Sequence, residues 1–230
     1  MSPKSTTPPP QRQETQRQEA QRLTPEHPPL QSNPRERILE VAVRLFYEQG
    51  YQATGINQII REASVAKASF YHHFPSKLDL IVAHLERCDD DWFSELTDAI
   101  DVYREPHRRV LALVDHVGQW LKQRDYRGCA FLNSLPEFSD PQSRPRQIVR
   151  EHKLKQRRLV ADLCAEAQRP ELADRAFLLV EGAISQVAVV GTLQPLDLVR
   201  DLVERELSSA VPSSPHSASR RPGSAPGETR

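Results

Sequence analysis

The 230-residue sequence is short of cysteine. Cys88, Cys129 and Cys164 are far apart and odd in number, which excludes a disulfide framework and leads us to expect a cytoplasmic protein. Net charge is also missing. Lys and Arg equal Asp and Glu at 31 each, so a general cationic coat for nucleic acid is excluded. No apolar run approaches the length of a membrane span or the pattern of a signal peptide. A Gly-rich phosphate loop and a nucleophile elbow are both absent, so no enzyme is expected and no cofactor. His84 and Cys88 stand at i, i+4 before the acidic run Asp89, Asp90, Asp91, but no third and fourth ligand follow at helical spacing, and no metal site is expected. Strand-like alternation is hard to find, and no internal repeat is visible.

What is present is uneven. Hydrophobic residues make up 38% of the chain, and twelve of its nineteen prolines lie before Arg35 or after Ala210. Residues 1–33 and 211–230 are rich in Pro, Ser, Gln and Arg with almost nothing to bury, and read as disordered tails. Between them runs a series of helical periods. Pro34 opens a helix with Ile38, Leu39, Ala42, Leu45 and Phe46 on one stripe, and Gly50 ends it. Thr54 is expected to cap the second helix through its hydroxyl, with Ile56, Ile59, Ile60 and Ala63 inward. Ser64 and Val65 form a turn. Residues 67–73 form a third helix that stops at Pro75. Ser76 and Asp79 then make a capping-box start for a long helix through Leu78, Ile81, Val82 and Leu85 toward Trp92, Phe93 and Leu96. Further helices open at Pro106, near 144 with a stripe of Ile148, Leu154, Leu159, Val160 and Leu163, at Pro170, and at Pro195. The reading is an all-α fold.

The first three helices have the lengths of a helix-turn-helix unit. At 100° per residue, an inward Phe70 takes Phe74 and Ala66 with it. Ala68 and His72 then point outward, flanked by Ser69 and Tyr71, with Lys67 at the N-terminal shoulder. Ala68 lets the backbone approach a base edge, Tyr71 and His72 can donate to bases or phosphates, and Lys67 and Lys77 can neutralise phosphates. The start of the second helix at Thr54 and Gly55 offers free N–H groups to another phosphate. His73 falls about 60° from Phe70, on the buried arc, and can contact DNA, cap or pack.

The run GYQATGINQIIREASVAKASFYHHFPSK, Gly50 to Lys77, closely resembles the DNA-binding domain of the tetracycline-repressor (TetR) family. The matches include the Gly50-Tyr51 turn, the Phe70-Tyr71-His72-His73-Phe74 segment and the Pro75-Ser76-Lys77 exit. The resemblance implies a helix-turn-helix DNA-binding domain at 34–80 and a helical sensor and dimerisation domain at 81–210. It implies double-stranded operator contacts from Lys67, Ser69, Tyr71, His72 and His73, with Thr54 and Lys77 on the backbone. It departs from the family at Ser64, where Gly is common, and at Ala66, where Ser or Thr is common. A positive-φ serine and a missing cap hydroxyl would each cost about 1 kcal/mol.

The resemblance also implies a homodimer and a small apolar or aromatic effector. Leu178, Leu179, Ile184, Val187, Val190, Leu198, Leu202 and Leu207 exceed what one helix pair can bury, and Gly182, Ala183 and Ala188 permit close approach, which fits a four-helix interface between protomers. Trp92, Phe93, Trp120, Cys129, Phe131, Leu132, Asn133 and Phe177 are the candidate pocket residues. Cys129 follows Gly128 at a helix start, where a thiol can be reactive; a small buried apolar role is the other reading. The expected function is a ligand-responsive repressor. A ligand-independent structural DNA-binding protein is the alternative, to be told apart by whether the C-terminal half holds an apolar cavity.

Overall fold

The computed structural model describes residues 33–209, so the expected tails lie outside the described residues except for Asn33. That residue belongs to the fold. Its Oδ1 accepts a hydrogen bond from the Arg35 N–H at 3.0 Å and caps the first helix, with Pro34 at the next position.

The described residues form nine α-helices and no strand: α1 (Pro34–Gln49), α2 (Ile56–Glu62), α3 (Lys67–His73), α4 (Lys77–Asp101), α5 (Pro106–Gln123), α6 (Ala130–Ser134), α7 (Arg144–Glu166), α8 (Ala173–Val190) and α9 (Gln194–Ser208). Short 3-10 turns follow α6 at Leu135–Glu137 and precede α8 at Pro170–Leu172. Helices α1–α3 pack into an N-terminal head, and α5, α7, α8 and α9 into a body. Helix α4 packs on α1 at one end and on α5 and α7 at the other. Its 25 residues span about 37 Å at 1.5 Å per residue, enough to belong to both parts. The Ser76 hydroxyl starts it by accepting from the Asp79 N–H at 3.2 Å.

The phase of two helices differs from the apolar count. On α7 the buried stripe is Pro145, Ile148, Val149, His152, Gln156, Val160, Leu163 and Cys164, while Leu154 is exposed. His152 and Gln156 hold the inward positions, and Leu154 lies two residues from each, on the opposite side of the wheel. On α4 the buried residues are Leu80, Ile81, His84, Leu85, Trp92, Leu96 and Ile100, and Leu78 is exposed.

Helices α8 and α9 bury one face and leave the other open. Ile184, Val187 and Leu207 point into the protomer core, whereas Leu178, Leu179, Val189, Val190, Leu198 and Leu202 are exposed. A Cβ on Gly182 would meet nothing within 4 Å. Ala183 is buried within the protomer. The Cβ of Ala188 lies 3.2 Å from where a Cβ on Gly128 would sit; at φ 78° Gly128 thus lets the chain pass close to α8.

Candidate nucleic-acid interface

The geometry of α3 is set by two phenylalanines. Phe70 is 0% exposed and Phe74 2%, with ring centroids 6.1 Å apart. Burying Phe70 alone contributes roughly 2–3 kcal/mol, and it fixes the helix's rotation. Lys67, Ala68, Tyr71 and His72 then face solvent, and Ser69 and His73 are half-buried. Tyr71 packs its ring edge against Phe70 at 5.3 Å and leaves 42% of itself exposed. The two histidine rings stand edge to face at 5.1 Å. Ala66, expected on the inward arc, is exposed instead, because it is the N-cap with extended backbone rather than the helix's first turn.

The turn before α3 closes as the sequence departures suggested. Ser64 has φ 52°. Its N–H donates to Arg61 O, and the Val65 N–H donates to Ile60 O, both at 3.2 Å. This is a Schellman closure with serine where glycine usually sits. The Arg37 Nε–H donates to Ala63 O at 3.2 Å and satisfies another carbonyl at the end of α2. Ala66 supplies no side-chain cap to α3.

Thr54 does not do what its position suggested. It is 0% exposed, and its hydroxyl donates toward Gly50 O at 2.8 Å and Leu45 O at 3.2 Å. It ties the end of α1 to the connection rather than capping α2 or offering its side chain to a phosphate. The N-cap of α2 is Gly55, which is exposed and gives no side-chain bond. Lys77 is half-buried, with Nζ donating to Gln52 O at 3.5 Å.

Charge is sorted within the head. From Ala63 to Leu78 there is no carboxylate, but two lysines and two histidines. Three of the four acidic residues of α1 and α2 are paired: Glu62 with Arg44 at 2.5 Å, Glu48 with Arg44 at 3.2 Å and Glu36 with Arg87 at 2.6 Å. A near-neutral head therefore presents a locally positive α3 face.

The head is fastened to the body where α1 ends. The Glu137 carboxylate, in the turn after α6, accepts from the Tyr51 N–H at 3.1 Å and the Gln52 N–H at 2.7 Å. Arg127 Nη1 donates to Glu48 O at 2.9 Å and Tyr47 O at 3.3 Å, and the Tyr47 hydroxyl donates to Arg124 O. Burial pushes the Tyr47 phenol up to about 12, so it stays a donor. Gly50, at φ 83°, brings its backbone against the Glu137 carboxylate, where a Cβ would lie 3.4 Å from Oε1. A cleft of about 270 Å³ opens at this seam.

The candidate pocket residues fall in several places. Asn133 is exposed and lines the seam cleft, where its Nδ2 donates to Arg127 O at 2.8 Å. Trp120 lies under the Arg124 guanidinium at 4.6 Å. Leu132 and Phe177 are half-buried against the core. Cys129 is 6% exposed and its thiol caps nothing, in keeping with the small buried reading. Cys88 is half-buried, and burial pushes its thiol up to about 12. Trp92, Phe93 and Phe131 do converge, but on a histidine that sequence reasoning passed over. His152 stacks on Phe131 at 3.7 Å and meets Trp92 and Phe93 edge-on at 5.4 and 5.5 Å. The enclosed apolar space between α5, α7, α8 and α9 is about 10 Å³, no larger than a water molecule needs.

Known proteins resemble this chain along most of its length. A sequence model described as bacterial regulatory proteins, tetR family, matches residues 38–83. The HTH-type transcriptional regulator Rv0196 of Mycobacterium tuberculosis (strain ATCC 25618 / H37Rv) is 30% identical over 191 residues, covering 78% of this chain and 96% of its own. The HTH-type transcriptional regulator LmrA of Bacillus subtilis (strain 168) is 27% identical over 188 residues, covering 74% and 97%. Among solved structures, SCO4454, a TetR-family transcriptional regulator from Streptomyces coelicolor, superposes with a TM-score of 0.67 at 28% identity, over 76% of this chain and 92% of that one.

Proposed function

The chain belongs to the TetR family of bacterial regulatory proteins and is a DNA-binding transcriptional regulator rather than an enzyme, and from that premise we propose that it is a homodimeric, effector-released repressor of a palindromic operator. The observation that carries the reading is the outward face of α3. Lys67, Ala68, Tyr71 and His72 stand free of the core on a helix whose rotation two buried phenylalanines fix.

In this reading Tyr71, His72 and Ser69 meet base edges or phosphates, Ala68 allows close approach, and Lys67 and Lys77 lie along the backbone. Gly55 brings the start of α2 to a phosphate, and half-buried His73 plays a marginal part. Two protomers joined through the exposed leucines of α8 and α9 set their α3 helices into successive major grooves, about 34 Å apart. Effector binding in the body favours a second state in which that separation changes, and the seam at Glu137 and Arg127 carries the difference to the head.

A second reading, a ligand-independent DNA-binding protein, draws support from the filled apolar interior.

DNA selected from a random pool by the full chain supplies the operator for the test. Tyr71→Ala and Lys67→Ala should each weaken operator binding about tenfold while leaving the oligomeric state unchanged, and Lys67→Ala should also flatten the salt dependence. Wild-type affinity in both variants would mean that another face reads DNA.

A further inference from the structure

The cleft between α4 and α7 measures about 310 Å³, within the size range of small-molecule sites. Helix α4 contributes Glu86, Asp89 and Asp90; α7 contributes Arg144, Glu151 and Lys155, with His152 at the back. Four carboxylates thus face two cations, and both cations are already engaged. Arg144 reaches Glu86 at 3.1 Å and Glu151 at 3.3 Å, and Lys155 reaches Asp89 at 3.2 Å. Asp90 has no ion-pair partner among the described residues. A surplus of carboxylate repels anions and attracts cations.

The back wall is the His152 ring beside Ile148. His152 is 2% exposed; its Nδ1 is bonded to Asp89 at 2.6 Å, and its ring covers Phe131. The Lys155 ammonium lies 3.6 Å from the centroid of Phe93 while pairing with Asp89. The protein's own ammonium thus already occupies a position between a carboxylate and an aromatic face. Lys155 is half exposed, so it can swing into solvent and yield that position at little cost.

We propose that this cleft binds a small organic cation with an aromatic body, and that such a cation is the effector of the regulator proposed above, a reading on which this inference rests. The ligand's positive centre replaces Lys155 beside Asp89 and Asp90, and its ring lies along Phe93 and the His152 wall. The apolar space between α5, α7, α8 and α9 is about 10 Å³. Occupancy also reaches the head. The Lys155–Asp89 pair ties α7 to α4, and the cation that replaces Lys155 beside Asp89 breaks it. Releasing that pair frees α4, the helix that continues from the head.

Titration calorimetry on the full chain with three matched probes tests the site: 2-naphthylmethylammonium, 2-naphthylmethanol and 2-naphthoate. The ammonium should bind roughly tenfold tighter than the alcohol, and the naphthoate most weakly. The Asp90→Asn, Glu151→Gln double variant changes only exposed residues; it should lose most of the preference for the ammonium and keep its binding of the alcohol. Equal binding of ammonium and alcohol, a preference that survives in the double variant, or binding of none of the three overturns the proposal. The readout needs no DNA. A chain that binds the cation but selects no DNA sequence retains the site and overturns the regulator reading. One that binds its selected operator and ignores the cation does the reverse. Release of operator by the ammonium at concentrations that saturate the cleft supports both.

Discussion

Thr54 turns its hydroxyl toward the end of α1 and away from α2. A threonine two residues before a helical stripe fits the pattern of an N-cap, but here the helix begins one residue later, at an exposed glycine. The hydroxyl instead serves two carbonyls at the end of α1. Thr54→Val keeps the shape and removes the hydroxyl from Gly50 O and from Leu45 O, so it should lower stability by about 1–2 kcal/mol in urea unfolding. The salt dependence of operator binding should not change, and a flattened slope would return Thr54 to the phosphate backbone. Ser64 gives the opposite sign. Its φ of 52° strains a side chain that glycine lacks, so Ser64→Gly should raise stability by about 1 kcal/mol. An unchanged or lower denaturation midpoint would mean that the serine side chain repays the strain.

At the scale of helices, the apolar period was legible wherever the inward residues are themselves apolar. The stripe of α1, the Phe70–Phe74 pair of α3 and the break at Gly128 all follow from residue type and spacing. On α7 the legibility fails, because His152 and Gln156 take inward places and a count of aliphatic residues selects Leu154 instead. The aromatic cluster was legible in its members, Trp92, Phe93 and Phe131, but not in its centre. A histidine on a charged helix gives no signal until Asp89 from another helix is seen to bond it. The leucines of α8 and α9 divide in the same way: sequence counted an excess, and only the fold separates inward Ile184, Val187 and Leu207 from outward Leu178, Leu198 and Leu202. An outward apolar face of this kind favours association. A Leu178→Glu, Leu202→Glu variant should sediment as a monomer with its helical content intact and bind operator at least tenfold more weakly. A dimer that persists in this variant would move the interface elsewhere.

Across the whole molecule, buried histidines set the response to acid. Burial holds His84 and His152 at about 4, well below their ordinary 6.5, and for His152 burial outweighs the opposing Asp89 bond. His116 is lowered as well, again mainly by burial. Above 6.5 these rings are neutral both folded and unfolded, and the fold keeps its full stability. As pH falls from 6.5 toward 4 the unfolded chain takes up protons that the folded chain refuses. Each histidine then removes up to about 1.4 kcal/mol per pH unit. The urea midpoint should therefore drop steeply across this window, and His84→Gln should make the drop shallower. Equal slopes in the two proteins would assign the acid sensitivity to other groups.

The fastening of head to body has a consequence for how such a protein can diversify. The hydrogen bonds that Glu137 and Arg127 make across the seam go to main-chain atoms of residues 47, 48, 51 and 52. Any chain that turns at a positive-φ glycine after α1 offers them the same N–H and C=O groups, whatever its α3 says to DNA. The body therefore works as a socket. Recognition residues can be exchanged for a different operator without renegotiating the joint, and the cleft between α4 and α7 can change without altering α3.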